Sequence, residues 1–390
     1  MNFAMPIQNL SAHDSAPRAR RARRAPTRLA TAVAMLAVFN LLLATAAHAA
    51  DPAGLALQKD GTAFKADADM QAVLDELAAL GGKPIETLTP EAARRQPTPA
   101  DAVMAVLKKQ GKDTSPSALV PGVSSVDRVV GGATGNLPAR VYTPTGSGPF
   151  PVIVYFHGGG WVIADKQVYD GGARALAKGA QAVVVSVDYR RAPEARFPAS
   201  WDDALAAYKW VAANAATLKG DGKRLALAGE SAGANLALAT AIAARDAKLQ
   251  APTHVLAVYP VAQTGNLDTA SYKDSATAKP LNKAMVSWFV DKLLAKPEDK
   301  QDPRLDLVNA KLEGLPPVTI INAQIDPLRE DGALLEAALK KAGVKVERKL
   351  YTGVTHEFFG MGAAVKHAAD AQALAGQALR NSFSKAASSR

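Results

Sequence analysis

Gly-Glu-Ser-Ala-Gly at residues 229–233 is the stretch that decides the fold of this chain. An apolar run at residues 225–228 precedes it, and an alanine- and leucine-rich segment at residues 234–245 follows it. A strand, a tight Gly-x-Ser-x-Gly turn and a helix in this order are typical of a nucleophile elbow, which presents a serine hydroxyl at a helix N-terminus. The two glycines remove side chains that would clash in so tight a turn. A plain glycine-rich turn stays open as the alternative until the chain also supplies a base, an acid and an oxyanion hole.

A second glycine-rich loop, His-Gly-Gly-Gly-Trp at residues 157–161, directly follows a strand predicted over the apolar residues 151–156. Consecutive glycines leave several backbone N–H groups uncovered, which suits a bound anion. Loops of this type supply the second half of an oxyanion hole. A flexible loop is the alternative, although it explains poorly why histidine and tryptophan flank the glycines.

Strands and helices alternate through the second part of the chain, which predicts an α/β fold with a mostly parallel central sheet flanked by helices. In such sheets, catalytic groups gather beyond the carboxyl ends of the strands. Ser231, Asp326 and His356 each follow a predicted strand. Their order along the chain, nucleophile, acid and histidine, is the order found in α/β hydrolases.

His356 is the best candidate for the base, because a serine hydroxyl needs a base whose pKa lies near the working pH. Asp326 would orient its imidazole and stabilise the cation. Glu330 and Asp331 are the competing acids, and they better suit the start of the helix predicted over residues 331–342, where acids complement the helix dipole. The other histidines after residue 49 belong to the glycine loop, a predicted strand and the last predicted helix: His157, His254 and His367.

Apolar residues at helical spacing predict two helices, over residues 67–80 and 97–111, before the first strands. We expect residues 50–125 to be a leader followed by N-terminal cap helices, with a packing appendage as the equally open alternative. Residues 126–390 then form the catalytic domain, in which the irregular residues 262–310 contribute to the cap.

The first 49 residues have the pattern of a secretory signal peptide. Six arginines between Arg18 and Arg28 precede an apolar stretch at residues 29–46, and the small residues Ala47 and Ala49 mark a cleavage site. This pattern predicts a periplasmic or secreted protein without a stable membrane span after cleavage. A membrane anchor and a mistaken upstream start are the alternatives, and the general and twin-arginine export routes both stay open.

Composition excludes several classes of function. The chain has 390 residues, 48% of them hydrophobic, and no cysteine, so a thiolate nucleophile, a disulfide framework and a cysteine metal site are impossible. Half of the formal charge of +10 lies in the first 49 residues, where six arginines face one acid. The rest is mildly basic and has no basic, aromatic patch, so we expect no nucleic-acid partner. No metal or nucleotide motif is present, so we expect no cofactor.

Residues 125–385 resemble the hormone-sensitive-lipase-like bacterial esterases of the α/β-hydrolase superfamily. Two features depart from the family pattern: Glu230 stands where many members have aspartate, and Ala234 where many repeat glycine. The motifs that carry the resemblance occur in family order: residues 157–161, 188–190 with 192–194 and 197–198, 229–233, 326–328 and 356–358.

The resemblance implies an α/β-hydrolase fold with a helical cap and a triad of Ser231, Asp326 and His356. It implies an exported serine carboxylic-ester hydrolase that acts through an acyl-enzyme on small-molecule esters with short to medium acyl chains. An amide or peptide hydrolase on the same triad and a silent binding protein on the same fold are the alternatives, and the oligomeric state stays open. The implied oxyanion donors are the backbone N–H groups of Gly158, Gly159 and Ala232.

Overall fold

The computed structural model describes residues 64–388, which are built around one eight-stranded sheet. The predicted α/β architecture is confirmed, with a mostly parallel sheet flanked by helices. The strands in chain order are β1 (Val123–Gly131), β2 (Asn136–Pro144), β3 (Phe150–Phe156), β4 (Val183–Val187), β5 (Gly220–Glu230), β6 (Val255–Val258), β7 (Val318–Ile325) and β8 (Val346–Thr355).

Their order in the sheet is β1-β2-β4-β3-β5-β6-β7-β8. The pairs β1–β2 and β2–β4 are antiparallel, and every other neighbouring pair is parallel. Parallel neighbours need crossover connections, and the chain supplies them as helices. The crossover helices are α5 (Asp170–Ala180), α6 (Ala199–Asn214), α7 (Ala232–Asp246), α8 (Ala270–Asp274), α9 (Lys283–Leu293) and α10 (Arg329–Lys341). A last helix, α11 (Lys366–Ser388), follows the final strand.

Strand β3 shows how the sheet divides the core into two layers. All of its residues are buried, as expected for a central parallel strand covered on both faces. Val152 and Val154 join the apolar cluster that contains residues of α6 and α7, whereas Ile153 and Tyr155 join the cluster that contains residues of α5 and α11. This alternation is the two-residue period of a strand.

The N-terminal part of the described chain is helical and is tied to the catalytic part. The backbone N–H of Asp67 donates to the carbonyl of Gly353 (2.8 Å), and the Nε of Arg94 donates to the carbonyl of Val162 (2.8 Å). Both predicted helices are present, and Thr98 begins the second one with a capping box. The helices are α1 (Ala68–Ala79), α2 (Pro90–Ala93), α3 (Pro99–Lys109) and α4 (Pro116–Leu119).

The domain boundary at residue 126 stays a prediction. Strand β1 begins before it, because β1 pairs with β2 from Val123 onwards. Strand β8 runs to Thr355, because it pairs with β7 across an irregularity at its end. His356 therefore follows the strand immediately.

The predicted signal peptide at residues 1–49 and most of the predicted leader lie outside the described residues. Among residues 64–388, no helix is both long and apolar enough to cross a membrane.

Candidate active site

The turn at Ser231 has the backbone geometry of a nucleophile elbow. Ser231 has a φ of +56°, and it stands between the end of β5 and the first residue of α7. A Cβ at Gly229 would overlap the carbonyl group of Gly233, and a Cβ at Gly233 would overlap the carbonyl oxygens of Phe156 and His157. Glycine is therefore required at both positions by the close approach of β3 and β5 to α7.

The structure brings together the three residues that the sequence proposed as a triad. Nε2 of His356 lies 3.0 Å from Oγ of Ser231, and Nδ1 of His356 lies 2.8 Å from Oδ2 of Asp326. The other oxygen of Asp326 accepts the backbone N–H of Leu328 (2.8 Å), which fixes the orientation of the carboxylate. All three side chains are buried.

The two competing acids contact other parts of the chain. Both lie in the first turn of α10. Glu330 accepts the backbone N–H of Ser271 (2.8 Å), and Asp331 accepts that of Ala262 (3.0 Å). Burial raises the pKa of Asp331 to about 7. These carboxylates fasten α10 to the segment that follows β6. Among the described side chains, the imidazole of His356 is hydrogen-bonded only to Asp326 and Ser231.

His356 lies in an environment that favours its protonated form. Burial alone would lower its pKa, but the adjacent charge and hydrogen bond of Asp326, with a contribution from Glu357, outweigh burial and raise the pKa above its usual value. The Tyr259 ring packs against the imidazole, with ring centroids 4.4 Å apart. Asp326 and Tyr259 thus hold the imidazole on two sides, and its raised pKa favours acceptance of a proton.

The glycine loop lies beside Ser231 and is held by its own backbone turn. Gly159 has a φ of +94°, and its carbonyl accepts the N–H groups of Val162 (3.0 Å) and Ile163 (2.9 Å). A Cβ at Gly159 would overlap the carbonyl of Ile163. No hydrogen-bond partner within residues 64–388 occupies the N–H groups of Gly158 and Gly159. They remain available to a ligand, as the oxyanion hypothesis requires.

His157 fixes the start of this loop. Its imidazole stacks on Tyr189 (centroids 4.4 Å apart, planes 12° apart), and the Tyr189 hydroxyl donates to the His157 carbonyl (2.8 Å). Burial lowers the pKa of His157, which favours the neutral form of its imidazole. His157 therefore has a packing role, in agreement with the sequence-based choice of His356 as the base.

Glu230 has surroundings that the sequence did not predict. Its carboxyl group is fully buried and accepts the hydroxyl of Tyr155 (2.5 Å) and that of Tyr259. Burial raises the pKa of Glu230 to about 8, although both hydrogen bonds act in the opposite direction. Since Tyr259 also packs against His356, the residue before the nucleophile is connected to the imidazole through one aromatic ring.

Ser231 and His356 line a cavity of about 530 Å³. Both segments that were predicted as cap elements contribute apolar side chains to its wall. Residues 64–122 supply Leu74, Leu77 and Ile85, and the region of α9 supplies Leu281, Met285 and Phe289.

A second cavity of about 720 Å³ lies between α3, α5 and the 3₁₀ turn at Phe358–Met361. Tyr169 and Glu357 line both cavities. The Tyr169 hydroxyl donates to Oε1 of Glu357 (2.6 Å), and that oxygen lies 3.8 Å from Nε2 of His356. Burial raises the pKa of Glu357, while the His356 cation and the Tyr169 hydrogen bond act to lower it.

Within residues 64–388, no group of three or more histidine, aspartate or glutamate side chains could hold a metal ion. The fold and the Ser231 cavity define the class of protein as an α/β hydrolase. A family profile described as the alpha/beta hydrolase fold matches residues 153–360.

Similar proteins of known sequence are esterases. Carboxylesterase NlhH of Mycobacterium tuberculosis is 40% identical over 281 residues, which is 70% of this chain and 88% of the relative. Ethyl acetate hydrolase of Pseudomonas putida is 32% identical over 303 residues, or 76% of this chain and 92% of the relative.

Solved structures that superimpose on this chain are also esterases. An esterase of Pyrobaculum calidifontis superimposes with a TM-score of 0.71 at 32% identity, covering 81% of this chain and 98% of that one. A thermostable esterase from Pseudomonas putida superimposes with a TM-score of 0.72 at 32% identity, covering 82% and 98%. The chain belongs to the hormone-sensitive-lipase-like esterases of the α/β-hydrolase superfamily, and it is a carboxylic-ester hydrolase.

Proposed function

We propose that this protein cleaves small-molecule carboxylic esters through an acyl-enzyme on Ser231, with His356 as general base and acid and Asp326 as the residue that orients it. The observation that carries the proposal is the continuous chain of hydrogen bonds from Asp326 through His356 to Ser231, 2.8 and 3.0 Å long. A serine hydroxyl becomes nucleophilic when an adjacent base accepts its proton.

In the first half of the reaction, Oγ of Ser231 attacks the ester carbonyl carbon while its proton moves to Nε2 of His356. The carbonyl oxygen becomes an oxyanion, which the N–H groups of Gly158, Gly159 and Ala232 stabilise at the N-terminus of α7. His356 then donates its proton to the leaving alkoxide oxygen, and the alcohol departs. The acyl group remains bound to Ser231.

In the second half, a water molecule takes the place of the alcohol and gives its proton to His356. The hydroxide attacks the acyl carbon, the same N–H groups stabilise the oxyanion, and His356 returns the proton to Ser231. Asp326 stabilises the imidazolium in both halves and keeps the proton of the neutral imidazole on Nδ1, so that Nε2 is free to accept.

The preferred acyl groups are short to medium in length. The Ser231 cavity has an apolar wall built by the N-terminal helices and α9, and its volume of about 530 Å³ suits a ligand of modest size.

The experiment is a panel of nitrophenyl esters of increasing acyl length, run with the wild-type protein and the Ser231→Ala variant. We expect wild-type turnover on short and medium esters and a loss of nearly all turnover in the variant. Ser124→Ala, which alters an exposed serine on β1, is the matched control and should retain full activity. If Ser231→Ala keeps more than about a tenth of the activity, the nucleophile is misassigned, since that loss is only ~1.4 kcal/mol of barrier. Anilides of the same acids, measured on the same preparation, test the amidase alternative.

We also propose that the protein is exported and cleaved near Ala50. The support is the basic, apolar and small-residue pattern of the first 49 residues. Mass spectrometry of protein recovered from outside the cytoplasm should give a new N-terminus near this position. Recovery of only the full-length chain from the cytosol would contradict export.

A further inference from the structure

The phenol ring of Tyr169 stands between the Ser231 cavity and the second cavity. It is buried, and its hydroxyl is held by Glu357 at 2.6 Å. The same hydroxyl packs beneath the glycine loop, where a Cβ at Gly158 would overlap it. Tyr169 is therefore fixed from two sides: by the residue that follows the candidate base and by the loop that carries the candidate oxyanion donors.

We propose that Tyr169 determines specificity for the alcohol part of the ester, by closing off the second cavity as a binding site for larger apolar alcohol groups. The inference rests on the proposed function, because it takes Ser231, His356 and the glycine loop as the reacting groups.

The position of the leaving group follows from the mechanism. The departing oxygen must come within hydrogen-bond reach of Nε2 of His356, since this atom protonates it. Oε1 of Glu357 lies 3.8 Å from that nitrogen. The proposal therefore places the carbon chain attached to the departing oxygen beside Glu357 and the Tyr169 ring that Glu357 binds. The wall formed by this pair limits the alcohol group more directly than the acyl group.

The chemistry of the second cavity sets the class of alcohol that it suits. Val103, Met104, Leu119 and Met361 contribute apolar surface. Two of the polar side chains in its wall already have partners: Arg174 is bound to Asp170 (2.8 Å), and Gln372 donates to the Phe359 carbonyl (2.6 Å). An alkyl or benzyl alcohol group would gain apolar contacts there without displacing these bonds.

The test compares two ester series on the same preparation by acid release at constant pH. Ethyl, butyl and hexyl acetate vary the alcohol, and ethyl acetate, butanoate and hexanoate vary the acyl group. Each buried methylene is worth about a factor of four. Tyr169→Ala should therefore raise the ratio of kcat/KM for hexyl acetate over ethyl acetate at least about tenfold, and it should change the corresponding acyl ratio less than about twofold. These ratios do not depend on the fraction of folded enzyme, so a destabilised variant still gives an answer.

Two further variants serve as controls. Tyr169→Phe keeps the ring and removes only the hydroxyl, so its alcohol ratio should stay near the wild-type value. Tyr208→Ala removes a buried tyrosine of α6 that lines neither cavity, and it should also leave the ratio unchanged.

An unchanged alcohol ratio in Tyr169→Ala would overturn the inference, as would an equal shift of the acyl ratio or an equal effect of Tyr169→Phe. Any of these results, with a wild-type enzyme that hydrolyses both series, would leave the proposed function intact. A wild-type protein that hydrolyses none of the esters would instead contradict the proposed function itself.

Discussion

The aromatic ring of Tyr259 lies against the imidazole of His356, with centroids 4.4 Å apart, and its hydroxyl donates to the buried carboxyl group of Glu230. Glu230, which precedes the nucleophile in the sequence, is therefore linked to His356 through Tyr259. Hydrogen bonds from Tyr155 and Tyr259 satisfy both oxygens of Glu230. Replacing Tyr155, Tyr259 or Glu230 therefore changes the surroundings of His356 without altering any group that reacts.

Glu230→Gln should change the pH dependence of stability. A carboxyl group whose pKa is raised to about 8 in the folded protein holds its proton there while the unfolded chain has already lost it, so wild-type stability falls as pH rises from about 4.5 to 8. The amide removes this penalty, which amounts to roughly 4 kcal/mol at pH 8 as an upper figure. Urea unfolding at pH 5 and pH 8 measures it. Between pH 5 and pH 8, the free energy of unfolding of the variant should rise relative to that of the wild type. An equal change of this free energy with pH in both proteins would refute the raised pKa.

Asp326→Asn should reduce turnover by about four orders of magnitude while the protein remains folded, because the amide can hold the wrong tautomer of His356. Asp331→Asn should instead affect mainly stability, since Asp331 binds the backbone N–H of Ala262. Steady-state kinetics and thermal unfolding of both variants separate the two roles. Full activity in Asp326→Asn together with a crippled Asp331→Asn would show that the acid had been assigned to the wrong residue.

Glu357→Gln should move the acid limb of the pH–rate profile to lower pH. His356 must be neutral to accept the serine proton, so activity rises with pH through its pKa. The Glu357 carboxylate, 3.8 Å from Nε2, helps to raise that pKa. Two charges about 4 Å apart interact by ~1 kcal/mol even in water, so removing one should shift the limb by about half a pH unit or more.

The matched control for this shift is Glu347→Gln, which alters an exposed glutamate on β8 and should leave the limb in place. A limb that does not move in Glu357→Gln would mean that this side chain carries no charge in the pH range where His356 titrates.

Gly159→Ala should reduce turnover about a hundredfold or more, because the added Cβ would overlap the Ile163 carbonyl and displace the proposed oxyanion donors. Gly343→Ala separates this effect from backbone strain alone. Gly343 has a similar conformation, with a φ of +73° against +94° for Gly159, and its Cβ would meet nothing within 4 Å. It should cost about 1–2 kcal/mol of stability and no activity. Equal losses of activity in both variants would contradict the proposal that the glycine loop carries the oxyanion donors.

The sequence predicted the features that depend on local spacing. The turn at Ser231 and the glycine loop are each carried by a few consecutive residues, and the alternation of strands and helices placed Asp326 and His356 at the same edge of the sheet as Ser231. His356 was then chosen as the base by elimination, because the other histidines after residue 49 belong to the glycine loop, a predicted strand and the last predicted helix.

The wall of the site could not be predicted in this way, because it depends on contacts between distant segments. Tyr169 and Glu357 are 188 residues apart and meet only through the packing of α5 against the turn after β8. Glu357 lies in the motif at residues 356–358, directly after His356. Its charge was the one signal in the sequence that could have indicated a role at the site. Nothing in the sequence around Tyr155 or Tyr259 indicates that both would bind Glu230.

The long sequence separation within the proposed triad has a consequence for refolding. Ser231 and His356 are 125 residues apart, and their hydrogen bond requires β5, β6, β7 and β8 to have paired in order. Non-local pairings of this kind form late, because the entropy of closing long loops must be overcome before the contacts compensate for it. Helices form within microseconds, so circular dichroism should recover early after dilution from urea. Ester hydrolysis should recover later than the helical signal, because it requires the last strand, β8, to have paired with the sheet.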